Sequence, residues 1–137
     1  MMRIVNIIIL YNQDYSKVLM CLRQKNPYKG LYNFVGGKLE GNETRLESAY
    51  RELHEETGIS PNQVELKEAM SFVYHHLDYE LFIAMGSVDE KTKVVSEKHP
   101  LEWIDVTENF EDRSRFAGDG NIQHMLDVLK YNEFNFD

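Results

Sequence analysis

Three glutamates, Glu52, Glu55 and Glu56, stand at i, i+3 and i+4 in a stretch whose apolar positions repeat with a helical period. At about 100° per residue they share one arc of that helix, roughly 100° wide. Like charges at this spacing repel by a few tenths of a kcal/mol per pair. The cluster is therefore either a solvated acidic face, relieved in part by Arg51, or a set of ligands. Immediately upstream runs Gly36-Gly37-Lys38-Leu39-Glu40-Gly41-Asn42-Glu43. Its glycines allow tight turns and a close approach of main chain to ligand. Such a turn would deliver the chain straight into the acidic helix, so that backbone carbonyls and carboxylates converge on one point. Donors that are all oxygen select a hard cation, Mg²⁺ or Mn²⁺, over Zn²⁺. No His or Cys cluster competes for the role. If the cluster is a ligand set, the chemistry it could serve is metal-assisted catalysis.

The elements that must position these residues can be read from periodicity. Two apolar, β-branched runs, 3–11 and 17–22, are separated by a turn at 12–16 and predict a hairpin. Pro27 and Gly30 mark a loop, and 31–35 is a short extended piece ending at Gly36-Gly37. Residues 44–57 follow a helical pattern with Gly58 where a C-cap belongs. Leu46, Ala49, Tyr50, Leu53 and Thr57 form its core-facing stripe. Two further strands are expected at 64–74 and 79–88, joined by a turn at 75–78, and another at 101–106. An amphipathic helix at 121–131 carries Ile122, Met125, Leu126 and Leu129 on one stripe. These elements predict a mixed α/β fold forming one domain over residues 1–137.

From Gly37 to Ile59 the chain reads GKLEGNETRLESAYRELHEETGI. This resembles the Nudix box, G-x5-E-x7-R-E-U-x-E-E-x-G-U with U a bulky apolar residue. Gly37, Glu43, Arg51, Glu52, Leu53, Glu55, Glu56, Gly58 and Ile59 fill every defined position. The resemblance implies an α/β/α sandwich with a mixed central sheet, and a loop–helix–loop site for divalent metals that bridge substrate phosphates. It implies Glu52, Glu55 and Glu56 as metal ligands, the Gly36 carbonyl as another, and Glu43 and Arg51 as supports. Arg51 would pair with the carboxylates and hold them in place. The physical logic agrees, because such metals neutralise anhydride charge, polarise the attacked phosphorus and acidify bound water.

Outside the box the chain is most similar to the MutT-like branch, which hydrolyses nucleoside triphosphates, oxidised purine nucleotides among them. The approach Leu31-Tyr32-Asn33-Phe34-Val35-Gly36-Gly37-Lys38 is similar to that branch, although Val35 stands where relatives often carry Pro. The resemblance implies Glu97 as a loop carboxylate that binds metal or acts as base, and Arg23 as a phosphate contact. Lys38 joins the substrate set, and Asn33 and Asn121 read the base. Each has a plainer alternative. Glu97 is a solvated loop acid, and Asn121 or Asp119 caps the last helix. Cys21 is a small core residue, Trp103 packs in the core rather than on a base, and His75 and His76 sit at a hairpin tip. Of Tyr32 and Phe34, either both line the base pocket or one packs inward.

Composition limits the partners. Hydrophobic residues at 42 % and charged residues at 28 % are ordinary for a soluble globular chain. A net charge of −8 without a Lys/Arg run argues against a nucleic-acid polymer or an anionic membrane and for phosphate handled through a cation. The apolar run near the N-terminus is too short to span a bilayer and lacks a cleavage site. One cysteine allows no internal disulfide, which fits a reducing cytoplasm. The resulting expectation is a cytoplasmic monomer or homodimer that cleaves a nucleoside triphosphate to monophosphate and pyrophosphate with Mg²⁺ or Mn²⁺. The alternatives are a hydrolase of another nucleoside diphosphate derivative such as ADP-ribose, or a non-catalytic domain that senses a nucleotide.

Overall fold

In the computed structural model, residues 2–96, 98–118 and 121–131 are described. Seven strands form one mixed sheet: β1 (Arg3–Tyr11), β2 (Lys17–Leu22), β3 (Tyr32–Asn33), β4 (Val35–Lys38), β5 (Lys67–Tyr74), β6 (Tyr79–Ser87) and β7 (Leu101–Asp105). Two helices, α1 (Arg45–Thr57) and α2 (Asn121–Tyr131), complete it. The strand order is β3-β2-β1-β6-β5, with β4 on β1 and β7 on β2.

Alternation along β1 sets the two layers. Ile8 and Leu10 pack with Ala49 and Leu53 of α1, with Leu19, Val35, Phe82 and Ala84 completing that cluster. Ile9 and Tyr11 point the other way, into a cluster with Ile83, Met20 and the stripe Ile122, Met125, Leu126 and Leu129 of α2. A strand buried on both faces is expected to read as a continuous apolar run, as β1 does from Ile7 to Leu10. The α/β/α arrangement expected from the resemblance is thus present.

One edge of β1 pairs in parallel with β6 along its whole length, from Arg3↔Tyr79 to Tyr11↔Ser87. Its other edge is divided. The β1–β2 hairpin keeps a single register pair, Tyr11↔Val18, because β2 diverges to pair with β7 and β3. The vacated edge is taken by β4, antiparallel, at Val5↔Lys38 through Ile8↔Val35. Gly36-Gly37 therefore lies within a strand, and the turn expected there is corrected. What requires glycine is space. A Cβ on Gly36 would run into the Asn6 carbonyl, and one on Gly37 into the Glu52 carboxylate. The expected 64–74 strand begins only at Lys67, although Val64 and Leu66 are buried ahead of it.

Helix α1 is closed at both ends by its own sequence. Thr44 caps it, with its side chain accepting from Glu47 N–H and the Glu47 carboxylate accepting from Thr44 N–H. Gly58 ends it in the left-handed region at φ 79°. The first turn is fastened to β6 by Arg45, whose Nη2 donates to both oxygens of Glu80 at 2.7 and 3.0 Å. Leu53 is fully buried at the centre of the α1 layer. Its replacement by Ala is expected to cost about 2–5 kcal/mol in denaturant unfolding. A loss below about 1 kcal/mol would show that this helix face does not form the core.

Candidate functional site

The site is built where α1 crosses β4. Asn6, 1 % exposed in the middle of β1, is the polar tie between them. Its Nδ2 donates to Ser48 Oγ at 2.9 Å, and its Oδ1 accepts from Gly37 N–H at 3.1 Å. Neither Asn6 nor Ser48 stands out in the sequence, since a lone Asn in a β run and a helical Ser carry no local signal. Together they fix the height at which the glycine strand meets the acidic helix.

Arg51 is hydrogen-bonded to three of the carboxylates. Its Nε and Nη2 donate to Glu43 Oε2 and Oε1 at 3.0 and 2.8 Å. Nη2 also donates to the Lys38 carbonyl at 2.9 Å. Nη1 reaches Glu52 Oε1 at 3.0 Å and Glu55 Oε2 at 3.2 Å. The paired guanidinium holds the Glu43 carboxyl below its ordinary range. Burial pushes the Glu52 carboxyl upward against the pull of Arg51. Glu56 is the most enclosed of the three. Burial lifts its carboxyl to about 7, although Gly36 N–H, donating to Oε2 at 3.0 Å, acts in the opposite sense.

Glu52, Glu55 and Glu56 line one small cleft of about 100 Å³ together with Ser96, Lys98 and His99. Beside it lies a larger cleft of about 700 Å³, with Gly36 and Lys38 in its wall. Arg23, Asn33 and Asn121 line that larger cleft, so all four expected substrate contacts face one space. Glu56 and Cys21 line both clefts and mark where they meet. Glu97 lies outside the described residues. Among the described residues, no three His, Cys, Asp or Glu side chains are gathered closely enough to hold a metal ion as they stand. Arg51 draws Glu52 and Glu55 to itself, and Gly36 N–H holds Glu56.

Other residues follow the plainer expectation. Cys21 is buried, its thiol pushed up to about 11 by burial and by Glu56. Trp103 packs half-buried against the α1-side core. His75 and His76 are exposed in a short turn, His75–Leu77. Phe34 is buried and also touches the larger cleft, whereas Tyr32 packs on Phe116. His99, 9 % exposed, was not singled out by sequence. Its Nδ1 accepts from Gln24 N–H at 3.0 Å, and its Nε2 lies 3.4 Å from Arg23 Nη1. Burial and the neighbouring Arg23 push its imidazole below the ordinary histidine range.

Among the described residues, no helix is long and apolar enough to cross a membrane. The chain is 30 % identical over 129 residues to an NAD-capped RNA hydrolase of Saccharomyces cerevisiae, covering 89 % of this chain and 33 % of that protein. It is 35 % identical over 71 residues to an 8-oxo-dGTP diphosphatase of Proteus vulgaris, covering 50 % of this chain and 63 % of that protein. The chain spans about a third of the length of the first curated relatives it matches. A solved structure from Francisella tularensis is a bifunctional NMN adenylyltransferase/ADP ribose pyrophosphatase complexed with AMP and a Mn ion. It matches with a TM-score of 0.69 at 20 % identity, over 96 % of this chain and 42 % of that one, a likeness of fold alone. A model of the NUDIX domain matches residues 1–124, and with the intact box on α1 and β4 this places the chain in the NUDIX family.

Proposed function

We propose that the chain hydrolyses a nucleoside triphosphate, with an oxidised purine nucleotide in its range, to nucleoside monophosphate and pyrophosphate. Water is consumed across one phosphoanhydride bond. The observation that supports this reading is the larger cleft, which brings Asn33, Asn121, Arg23 and Lys38 to the same space as Glu56 and Gly36. Its volume of about 700 Å³ falls in the range that takes one small ligand.

The donor types present suit a hard divalent cation, Mg²⁺ or Mn²⁺, which Glu52, Glu55, Glu56 and the Gly36 carbonyl would hold once the carboxylates turn from their present partners. All these donors are oxygen, and the volume a Cβ on Gly37 would occupy is taken by the Glu52 carboxylate. When bound, such a cation neutralises the anhydride's charge and polarises the attacked phosphorus. The chain's own groups do the rest. Arg51 is a positioning residue that holds Glu43, Glu52 and Glu55 in register. Glu52 or Glu55, together with Glu97, supplies a carboxylate to take the proton from the attacking water. Arg23 and Lys38 bring positive charge to the phosphates, and the Asn33 and Asn121 amides offer donor and acceptor to a base edge.

A panel of nucleotides assayed with Mg²⁺ or Mn²⁺ tests the reading. Monophosphate plus pyrophosphate is expected, with turnover lost in chelator. Turnover only of ADP-ribose, giving AMP and ribose phosphate, would overturn the triphosphate assignment, and full turnover in chelator would overturn the metal.

Glu56→Gln should lower kcat/KM at least about a hundredfold, since several kcal/mol of charge stabilisation are lost at the transition state. Stability should move the other way. In metal-free protein, Glu56 is protonated in the fold but ionised in the unfolded chain between its ordinary 4.5 and about 7. The native state then holds more protons, so stability falls as pH rises through that window. The variant escapes this loss, and its advantage should grow between pH 4.5 and 7 to at most about 3 kcal/mol. Melting curves in chelator at pH 5 and pH 8 check this, and an advantage that does not change with pH would contradict it.

Asn33→Ala and Asn121→Ala should shift the purine-to-pyrimidine ratio of kcat/KM with little change in Tm. A loss of about 1 kcal/mol in stability with unchanged preference would make Asn121 a structural residue of the first turn of α2.

A further inference from the structure

Resting on the nucleotide-hydrolase reading above, we propose that His99 and Arg23 form a two-donor cradle for one phosphoryl oxygen of the substrate. The protonation pattern of His99 follows from its neighbours. Nδ1 accepts from the Gln24 backbone N–H at 3.0 Å, so this nitrogen presents its lone pair. An imidazole with a bare Nδ1 carries its proton on Nε2. That Nε2–H stands 3.4 Å from Nη1 of Arg23. A guanidinium has no lone pair to offer in return. Two donors therefore face each other across a gap, and a third group that accepts from both is what the pair lacks. An anionic oxygen fills that need and also offsets the charge of Arg23.

Both donors are held in place from outside the gap. The His99 ring is fixed by Gln24, and its backbone N–H donates to Ser96 Oγ at 3.1 Å. Arg23 Nε donates to the Pro27 carbonyl at 3.3 Å, which aims the guanidinium. His99 is 9 % exposed as a residue, and it lines the smaller cleft, where its Nε2 donor is open to a bound group. Glu56, which lines both clefts, has its Oε2 engaged by Gly36 N–H.

The location matches a phosphate. Arg23 lines the larger cleft with the base-facing asparagines, whereas His99 lines the smaller one with the three glutamates and Lys98. A group bridging the two donors therefore lies between the nucleoside space and the carboxylates, which is where a nucleotide carries its phosphates. Neutral His99 with Arg23 supplies a directed hydrogen bond and a charge at once, without placing a second full positive charge beside Arg23.

Two variants separate this role from a purely structural one. His99→Asn keeps an acceptor near the Nδ1 position for Gln24 N–H and removes the Nε2 donor. His99→Gln carries an amide N–H out to the Nε2 position and gives up the acceptor. Binding of inorganic pyrophosphate in Mg²⁺, measured by titration calorimetry, should weaken about tenfold or more in His99→Asn. It should stay within about threefold of wild type in His99→Gln, while Tm falls more in His99→Gln than in His99→Asn. Unchanged pyrophosphate affinity in His99→Asn, equal losses in both variants, or no measurable binding by wild type would each overturn the cradle. The nucleotide panel separates this from the reading beneath it. Loss of pyrophosphate affinity specific to His99→Asn in a chain that cleaves no nucleotide supports the cradle and overturns the substrate assignment.

Discussion

Arg51 sits among Glu43, Glu52 and Glu55, and its five N–H groups are what allow those acids to occupy one corner of the molecule. Two of its nitrogens grip both oxygens of Glu43 and the Lys38 carbonyl, and the third reaches Glu52 and Glu55. Unit charges about 4 Å apart interact by about 1 kcal/mol in water and by several times that near a protein surface. Glu52, with a side chain only 12 % exposed, is in the second situation. Without the guanidinium, the loop bearing Glu43 and the helix bearing Glu52 and Glu55 would be driven apart. A lysine could neutralise one partner but lacks the planar fork needed to hold a carboxylate by two bonds and a carbonyl by another. One positive charge among several negative ones leaves an excess of acid on the oxygens that Arg51 does not occupy.

A second constraint makes this corner reachable. A strand buried on both faces offers little purchase for polar chemistry, and β1 is such a strand apart from Asn6. By spending its amide on Ser48 and Gly37, Asn6 fixes the helix and the glycine strand to a common reference. The glycines then let β4 lie against the Asn6 carbonyl on one side and the Glu52 carboxylate on the other. The divergence of β2 from β1 completes the arrangement, since a full hairpin would have covered the edge that β4 uses. The same divergence carries Cys21 and Arg23 to the walls of the clefts.

Much of the site was legible because its parts are close in sequence. Helix period places Glu52, Glu55 and Glu56 on one arc whatever the rest of the chain does, and Gly58 states where that helix ends. Glu43 and Arg51 lie 8 residues apart, within a single loop and two helical turns. The apolar runs of β1 and β6 and the stripe of α2 likewise announce layers on both faces of a sheet. Gly36-Gly37 was read as a turn because a glycine pair usually is one. Its actual reason, the room taken by Asn6 and Glu52, is a steric fact about neighbours distant in sequence.

What the sequence determined by itself is therefore what short-range geometry enforces: the helix and its acidic arc, its glycine C-cap, the alternation of strands and the box on which family membership rests. What only the tertiary structure decided is everything set by which distant groups meet. Asn6 finds Ser48 across 42 residues, and His99 finds Gln24 and Arg23 across 75 and 76. No periodicity spans such distances. A histidine's tautomer, an asparagine's partners and the burial of Glu56 depend on the packing of the sheet between its helices, so these roles exist only once the chain has folded.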